Sequence, residues 1–234
     1  MIRYDGERSI AGNPIMANYE MEDAAARLLY ESGQSMRTPR AVDPMKLATY
    51  LGASVRTAYL SDSPYSLCAV AIEEQTLRVK DGSAIVMAAG DIFIERAILD
   101  REDTKWYNYA LFHALAHLYL HSPSVAGAQL SFDLSGTQSD KHFICDAGEL
   151  SDVYSDTGLD ARPAAEGQAD KFAGCLMLPK VPFKVAVNKL MGKKGINRND
   201  LEGKTLDRIL VSLSKTFNAP EIVVALRMKK LLYL

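Results

Sequence analysis

The chain has 234 residues, which on the usual scale of roughly 100–200 residues per domain is one domain or one domain with an appendage. With 48% hydrophobic and 24% charged residues it has the make-up of a soluble globular protein, which excludes collagen-like, coiled-coil and wholly disordered chains. The net charge of -2 hides a split: residues 1–179 carry 15 Lys+Arg against 25 Asp+Glu, and residues 180–234 carry 12 against 4.

The basic C-terminal segment therefore reads as a separate module that could meet nucleic acid, an acidic partner or the chain's own acidic body, or as a solvated helix pair. No apolar run approaches the roughly 18 residues that span a bilayer, so no membrane partner is expected. MIRYDGERSIAGNPIM mixes charges and lacks an apolar signal core, so a cytoplasmic protein is expected. Cys68, Cys145 and Cys175 are odd in number and far apart, which speaks for buried thiols in a reducing compartment.

In chain order, NYEMEDAAARLLYESG (Asn18 to Gly33) has acids in its first turn, helical apolar spacing and a Gly stop, and predicts an amphipathic helix. Asp43 to Gly52, with a Pro near its start and Leu47 and Leu51 at i, i+4, predicts a second. The period then falls to two, with strands expected at Val55–Leu60, Leu67–Glu73, Thr76–Val79, Ala84–Met87 and Asp91–Glu95 in a small antiparallel sheet. Asp100 to Pro123 predicts a helix that is apolar nearly all round and therefore buried. Ser122 to Ala165 is polar and too long for a plain connection, and its apolar pieces QLSF and HFIC suggest small elements of its own. Arg162 to Pro179 predicts a second buried helix. Phe183–Lys193, Thr205–Phe217 and Pro220–Leu232 predict three more, the last two separated by Asn218-Ala219.

His113 and His117 stand at i, i+4, so a helix stacks their rings on one face. Two imidazoles inside an apolar helix each need a partner, and a metal supplies both. A catalytic zinc keeps three protein ligands and one open position. Glu166 is the candidate third ligand, and Asp170, one turn on, is placed to accept the free N–H of a liganding histidine. Taken alone, Glu166 would be an ordinary first-turn acid stabilised by the helix dipole.

FHALAHLYLH followed by EGQADKFAGCLMLP resembles the ImmA/IrrE family of zinc metallopeptidases, whose blocks read H-E-L-[GA]-H-x-L-x-H and E-x-x-A-[ND]-x-F-A-x-x-L-x-x-P. The likeness runs best from about Asp91 to Pro179, and LSKTFNAPEIVVALRMKKLLYL is similar to the family's C-terminal helical region, with a helix-turn-helix look. The resemblance implies an α+β zincin-like body over residues 1–179, a C-terminal helical module over 180–234, and one Zn2+ on His113, His117 and Glu166 with support from Asp170. It also implies endopeptidase action on a cytoplasmic protein such as a helix-turn-helix repressor; the rival is a non-catalytic regulator that binds a repressor or DNA.

Ala114 stands where the family has its glutamate. That glutamate takes a proton from the attacking water and passes it to the leaving amine, work worth about 10²–10⁴-fold, so little or no peptidase activity is expected. An alanine with both histidines intact is the change that traps an inactive form; a natural pseudo-enzyme is the other origin. The 49 residues from His117 to Glu166 imply an insertion over 122–165, a lid, a docking element or a tolerated surface loop. Within it, His142 and Cys145 form at most a weak accessory metal pair. His121 reads either as a residue of the cleft or, by preference, as a histidine satisfied by the last carbonyls of its helix. Phosphate-binding glycine loops, G-x-S-x-G and C-x-x-C are absent from the sequence.

Overall fold

The computed structural model describes residues 2–9, 12–34, 37–63, 66–122, 142–146, 164–196 and 201–231. Its elements are α1 (Asn18–Glu31), α2 (Pro44–Leu51), β1 (Ser54–Ala58), β2 (Ser66–Ala71), β3 (Gln75–Arg78), β4 (Ala84–Met87), β5 (Asp91–Glu95), α3 (Arg96–Asp100), α4 (Thr104–Leu120), β6 (His142–Asp146), α5 (Ala164–Met177), α6 (Lys180–Lys194), α7 (Gly203–Phe217) and α8 (Glu221–Lys230). This is a mixed α+β fold with a small sheet. No single helix among the described residues is long and apolar enough to cross a membrane.

Helix α4 has no polar side to turn toward water, so the rest of the chain is arranged around it. Asp103 caps it by accepting from the Trp106 N–H at 3.2 Å, and every residue from Tyr109 to Leu120 is buried. It packs on α5, on β2 and β5 of the sheet, and on α2 and α3. Helix α2 fits its place by local rules: Asp43 accepts from the Met45 and Lys46 N–H groups, Pro44 opens the helix, and Gly52 closes it in the left-handed region at φ 72°.

The sheet departs from the purely antiparallel one expected. Its order is β1-β5-β2-β6, with β5 parallel to β1 and antiparallel to β2. Strand β2 runs opposite to β1, and the β3–β4 hairpin then returns the chain so that β5 slots between them. Period-two patterning marks strands but not their neighbours, so this order is invisible to it. Both faces of the central strands are covered. Cys68, Val70, Ile92 and Ile94 face the helical core, while Ala69, Ala71 and Phe93 join Leu77 and Met87 of the hairpin in a second small cluster.

Strand β6 pairs with β2 and corresponds to the HFIC piece of the long connection. The remainder of that connection, including any lid or docking element and QLSF, lies outside the described residues, as do the side chains of His142 and Cys145. Cys68 and Cys175 are buried free thiols.

Across residue 179 the main core is continuous. Phe183, Val187, Ile209, Leu213, Phe217, Val224 and Met228 belong to the same cluster as the apolar residues of α1, α4 and α5. Helices α7 and α8 meet at 105° across Asn218, which takes the left-handed conformation at φ 49° and accepts on its carbonyl from the Asn108 side chain of α4. Arg227 of α8 is buried; it donates from Nε to the Leu178 carbonyl at 2.9 Å and forks onto Glu22 of α1 at 2.5 and 2.7 Å.

Candidate metal centre

Helical periodicity aligns Tyr109, His113, His117 and His121 on one face of α4, and α5 lays Glu166 and Asp170 against that face. His113 and His117 are buried, and Glu166 keeps 14% of its side chain accessible. The Nε2 atoms of His113 and His117 lie 2.9 Å apart. Glu166 gives one oxygen to each, Oε2 at 3.2 Å from His113 Nε2 and Oε1 at 3.3 Å from His117 Nε2. Ligands held tetrahedrally by bonds of about 2.0–2.1 Å stand about 3.3 Å from one another, so two imidazoles and a carboxylate already sit near the spacing that one ion imposes. Among the described residues, His113, His117 and Glu166 form a candidate site for a metal such as Zn2+.

The electrostatics follow from the crowding. Burial opposes charge on His113, but the carboxylates of Asp170 and Glu166 outweigh it and raise its pKa well above the ordinary 6.5. Burial likewise opposes charge on Glu166, and hydrogen bonds from His113 and His117 overcome it and hold the carboxyl well below its usual range. His117 goes the other way: burial, aided by the neighbouring His113 charge, lowers it to about 4. The carboxylates thus favour the charged form of His113, and a metal ion held here would compete with that proton.

No protein family, curated protein or solved structure matches the chain. The geometry of these residues thus carries the functional reading together with the motif resemblance.

Asp170 Oδ1 lies 2.8 Å from His113 Nδ1, an ion-pair distance, and accepts from the Tyr109 hydroxyl at 2.6 Å. Ala114 is fully buried within the main core. Helix α4 is packed on by the sheet and by α5, and the N-terminal segment crosses its C-terminal end. That segment is tied down along its length. The Tyr4 N–H donates to the Tyr119 carbonyl at 2.8 Å, Arg8 donates to the Ser122 carbonyl at 3.3 Å, and the Pro14 carbonyl accepts from Gln168 Nε2 at 2.7 Å.

His121 has a larger part than the sequence assigns it. Its ring turns inward, with Nδ1 at 3.0 Å from His117 Nδ1 and Nε2 at 3.1 Å from Gln168 Oε1. Tyr109 was also missed, although its i−4 spacing from His113 was a legible signal. Gln168 and Pro14 had none, since their roles come from a contact between residues 154 apart in sequence.

Proposed function

We propose that this protein is a zinc-binding member of the ImmA/IrrE type whose ancestral chemistry is endopeptidase cleavage of a helix-turn-helix repressor, and whose own hydrolytic activity is crippled at Ala114. The observation that carries this is the convergence of His113 Nε2, His117 Nε2 and the Glu166 carboxylate at 2.9–3.3 Å, on helices whose sequences resemble the family's two blocks, with departures at Ala114 and Tyr119. A zinc ion held there would supply Lewis acidity toward a substrate carbonyl. His113, His117 and Glu166 would hold it, and Asp170, steadied by Tyr109, would orient His113 through Nδ1. A methyl group at position 114 has no proton to give or take. The acidic body and the basic segment 180–234 would form the zincin-like and helical parts of such an enzyme.

A second reading, a non-catalytic regulator that binds a repressor or DNA, is favoured by two features together: the missing base and the burial of position 114. Two measurements test the proposal. Elemental analysis of zinc-loaded, gel-filtered protein should give one ion per chain, and its absence would remove the metal reading. Ala114→Glu, once shown to keep its zinc, should cleave repressor about 10²–10⁴-fold faster than the native chain in a chelator-sensitive way. Equal cleavage by both forms would rule out the role given to position 114, and cleavage by neither would leave the regulator.

A further inference from the structure

We infer that the seam between α5 and α8 holds a binding site for one small monovalent anion, of the size of chloride or formate, centred on the ammonium group of Lys230. Helical spacing puts Val223, Leu226, Arg227 and Lys230 in one stripe of α8, and this stripe and residues of α5 enclose a cavity of about 20 Å³. At about 10–15 Å³ for each water-sized group, that is room for a small ion and too little for a phosphate. Lys230 is the side chain that asks for a ligand. Its Nζ is buried and has no hydrogen-bond or ion-pair partner among the described residues, whereas an ammonium has three donors to satisfy and nothing to accept with. Leaving such a group buried and unpaired is costly.

The charges around the cavity decide the sign of the ligand. Lys171, exposed on α5, lines the same space and adds a second ammonium. Arg227 is engaged elsewhere: four of its N–H groups go to the Leu178 carbonyl, the two Glu22 oxygens and the Cys175 sulfur, so Glu22 and Arg227 balance one another. Asp170 also lines the cavity, but its carboxylate is drawn toward α4, where it accepts from the Tyr109 hydroxyl at 2.6 Å and lies 2.8 Å from His113 Nδ1. The Cys175 thiol, raised by burial, is neutral at ordinary pH. Burial, reinforced by Arg227 and Lys171 against the pull of Cys175 and Glu22, lowers the Lys230 pKa. A water molecule in the cavity would give Nζ an acceptor and leave this surplus of positive charge in place. An anion supplies the acceptor and the countercharge together, and the apolar walls of Val223, Leu226 and Gly174 strengthen the charge-assisted bond it makes.

Chlorine-35 NMR of the full chain in sodium chloride, with ionic strength held by gluconate, which is too large for the cavity, reads chloride binding as excess line width. The wild-type chain should broaden the line, and formate should compete the broadening away. Lys230→Met should weaken chloride by about tenfold or more, the worth of one charge-assisted hydrogen bond. Lys189→Met, which removes an exposed lysine of α6, should leave it unchanged. Equal broadening by the wild type and by Lys230→Met, or none by either, overturns the inference. Should Lys230→Met fail to fold, bromide-soaked wild-type crystals decide it. One anomalous peak within about 3.5 Å of Nζ upholds the site, and a cavity holding only water overturns it. Neither measurement involves the histidines, so the outcome stands whether or not the chain binds zinc.

Discussion

Helix α5 has a buried polar cluster near each end, and they differ in how their charges are balanced. Toward its C-terminal end, Arg227 meets Glu22, the Leu178 carbonyl and the Cys175 sulfur, so a fork of donors is matched by acceptors within the chain itself. Toward its N-terminal end, two Nε2 atoms and a carboxylate converge on one another, a surplus of lone pairs that one proton on His113 partly relieves. A closed cluster of the first kind is structural. A cluster of the second kind has a place for a cation.

The most damaging way to break the comparison lies in the closed cluster. Glu22→Ala strands a buried guanidinium and should cost about 3–5 kcal/mol in urea unfolding, with zinc stoichiometry in the surviving folded fraction unchanged. The open cluster should respond to zinc. Free zinc at about 1,000 times its Kd should stabilise the wild-type chain by about 4 kcal/mol, seen as a rise in unfolding midpoint, and should do nothing for His117→Ala. An equal rise in both would make the histidines bystanders.

Next in size is the pH dependence of the metal-free form, which separates the histidines from one another. His113, raised above 6.5, contributes fully below pH 6.5, and its contribution is lost as the pH climbs through the raised value. His117 and His121, lowered to about 4 and about 3, contribute above pH 6.5, and theirs is lost on acidification toward those values. Stability with a chelator present should therefore be greatest near pH 6.5, and zinc, by replacing the His113 proton, should move the optimum upward. Urea midpoints across pH 4 to 9, taken in about 1-unit steps with and without zinc, check both signs. The smallest effect is expected at the surface. Reversing the charge of the exposed Lys189 and Lys193 should change stability by under about 0.5 kcal/mol, since neither faces the core. If the segment binds DNA, the same change should weaken that binding and flatten its salt dependence by about 0.9 for each phosphate that is no longer neutralised.

Much of this was readable from the residues alone, and the limits have physical causes. Caps and stops placed the helices within a few residues, because Asp43, Asp103, Gly52 and Asn218 act on their immediate neighbours. The two histidines were visible because helical repetition forces i, i+4 residues together, whereas Glu166 was legible only through its own i, i+4 pairing with Asp170 and the likeness of its block to a metallopeptidase motif. Apart from the short helix α3, what escaped was non-local: the insertion of β5 between β1 and β2, and the contact of Gln168 with Pro14. The C-terminal segment was set apart by its charge, yet its apolar faces join the common core, because charge patterning reports the outer surface of a helix and not what its inner face touches.

The long-range contacts also bear on the order in which the molecule assembles. The Gln168–Pro14 hydrogen bond closes residues 14 and 168, and the Arg227 clamp closes residues 22 and 227. Loops that long carry a large closure entropy and lock late, after helices and the β3–β4 hairpin have formed from neighbouring residues. For that interval the nascent protein holds His113 and His117 in one row on α4 before the long-range contacts close around them, so zinc present during refolding would meet a more open cluster than zinc added to the finished fold.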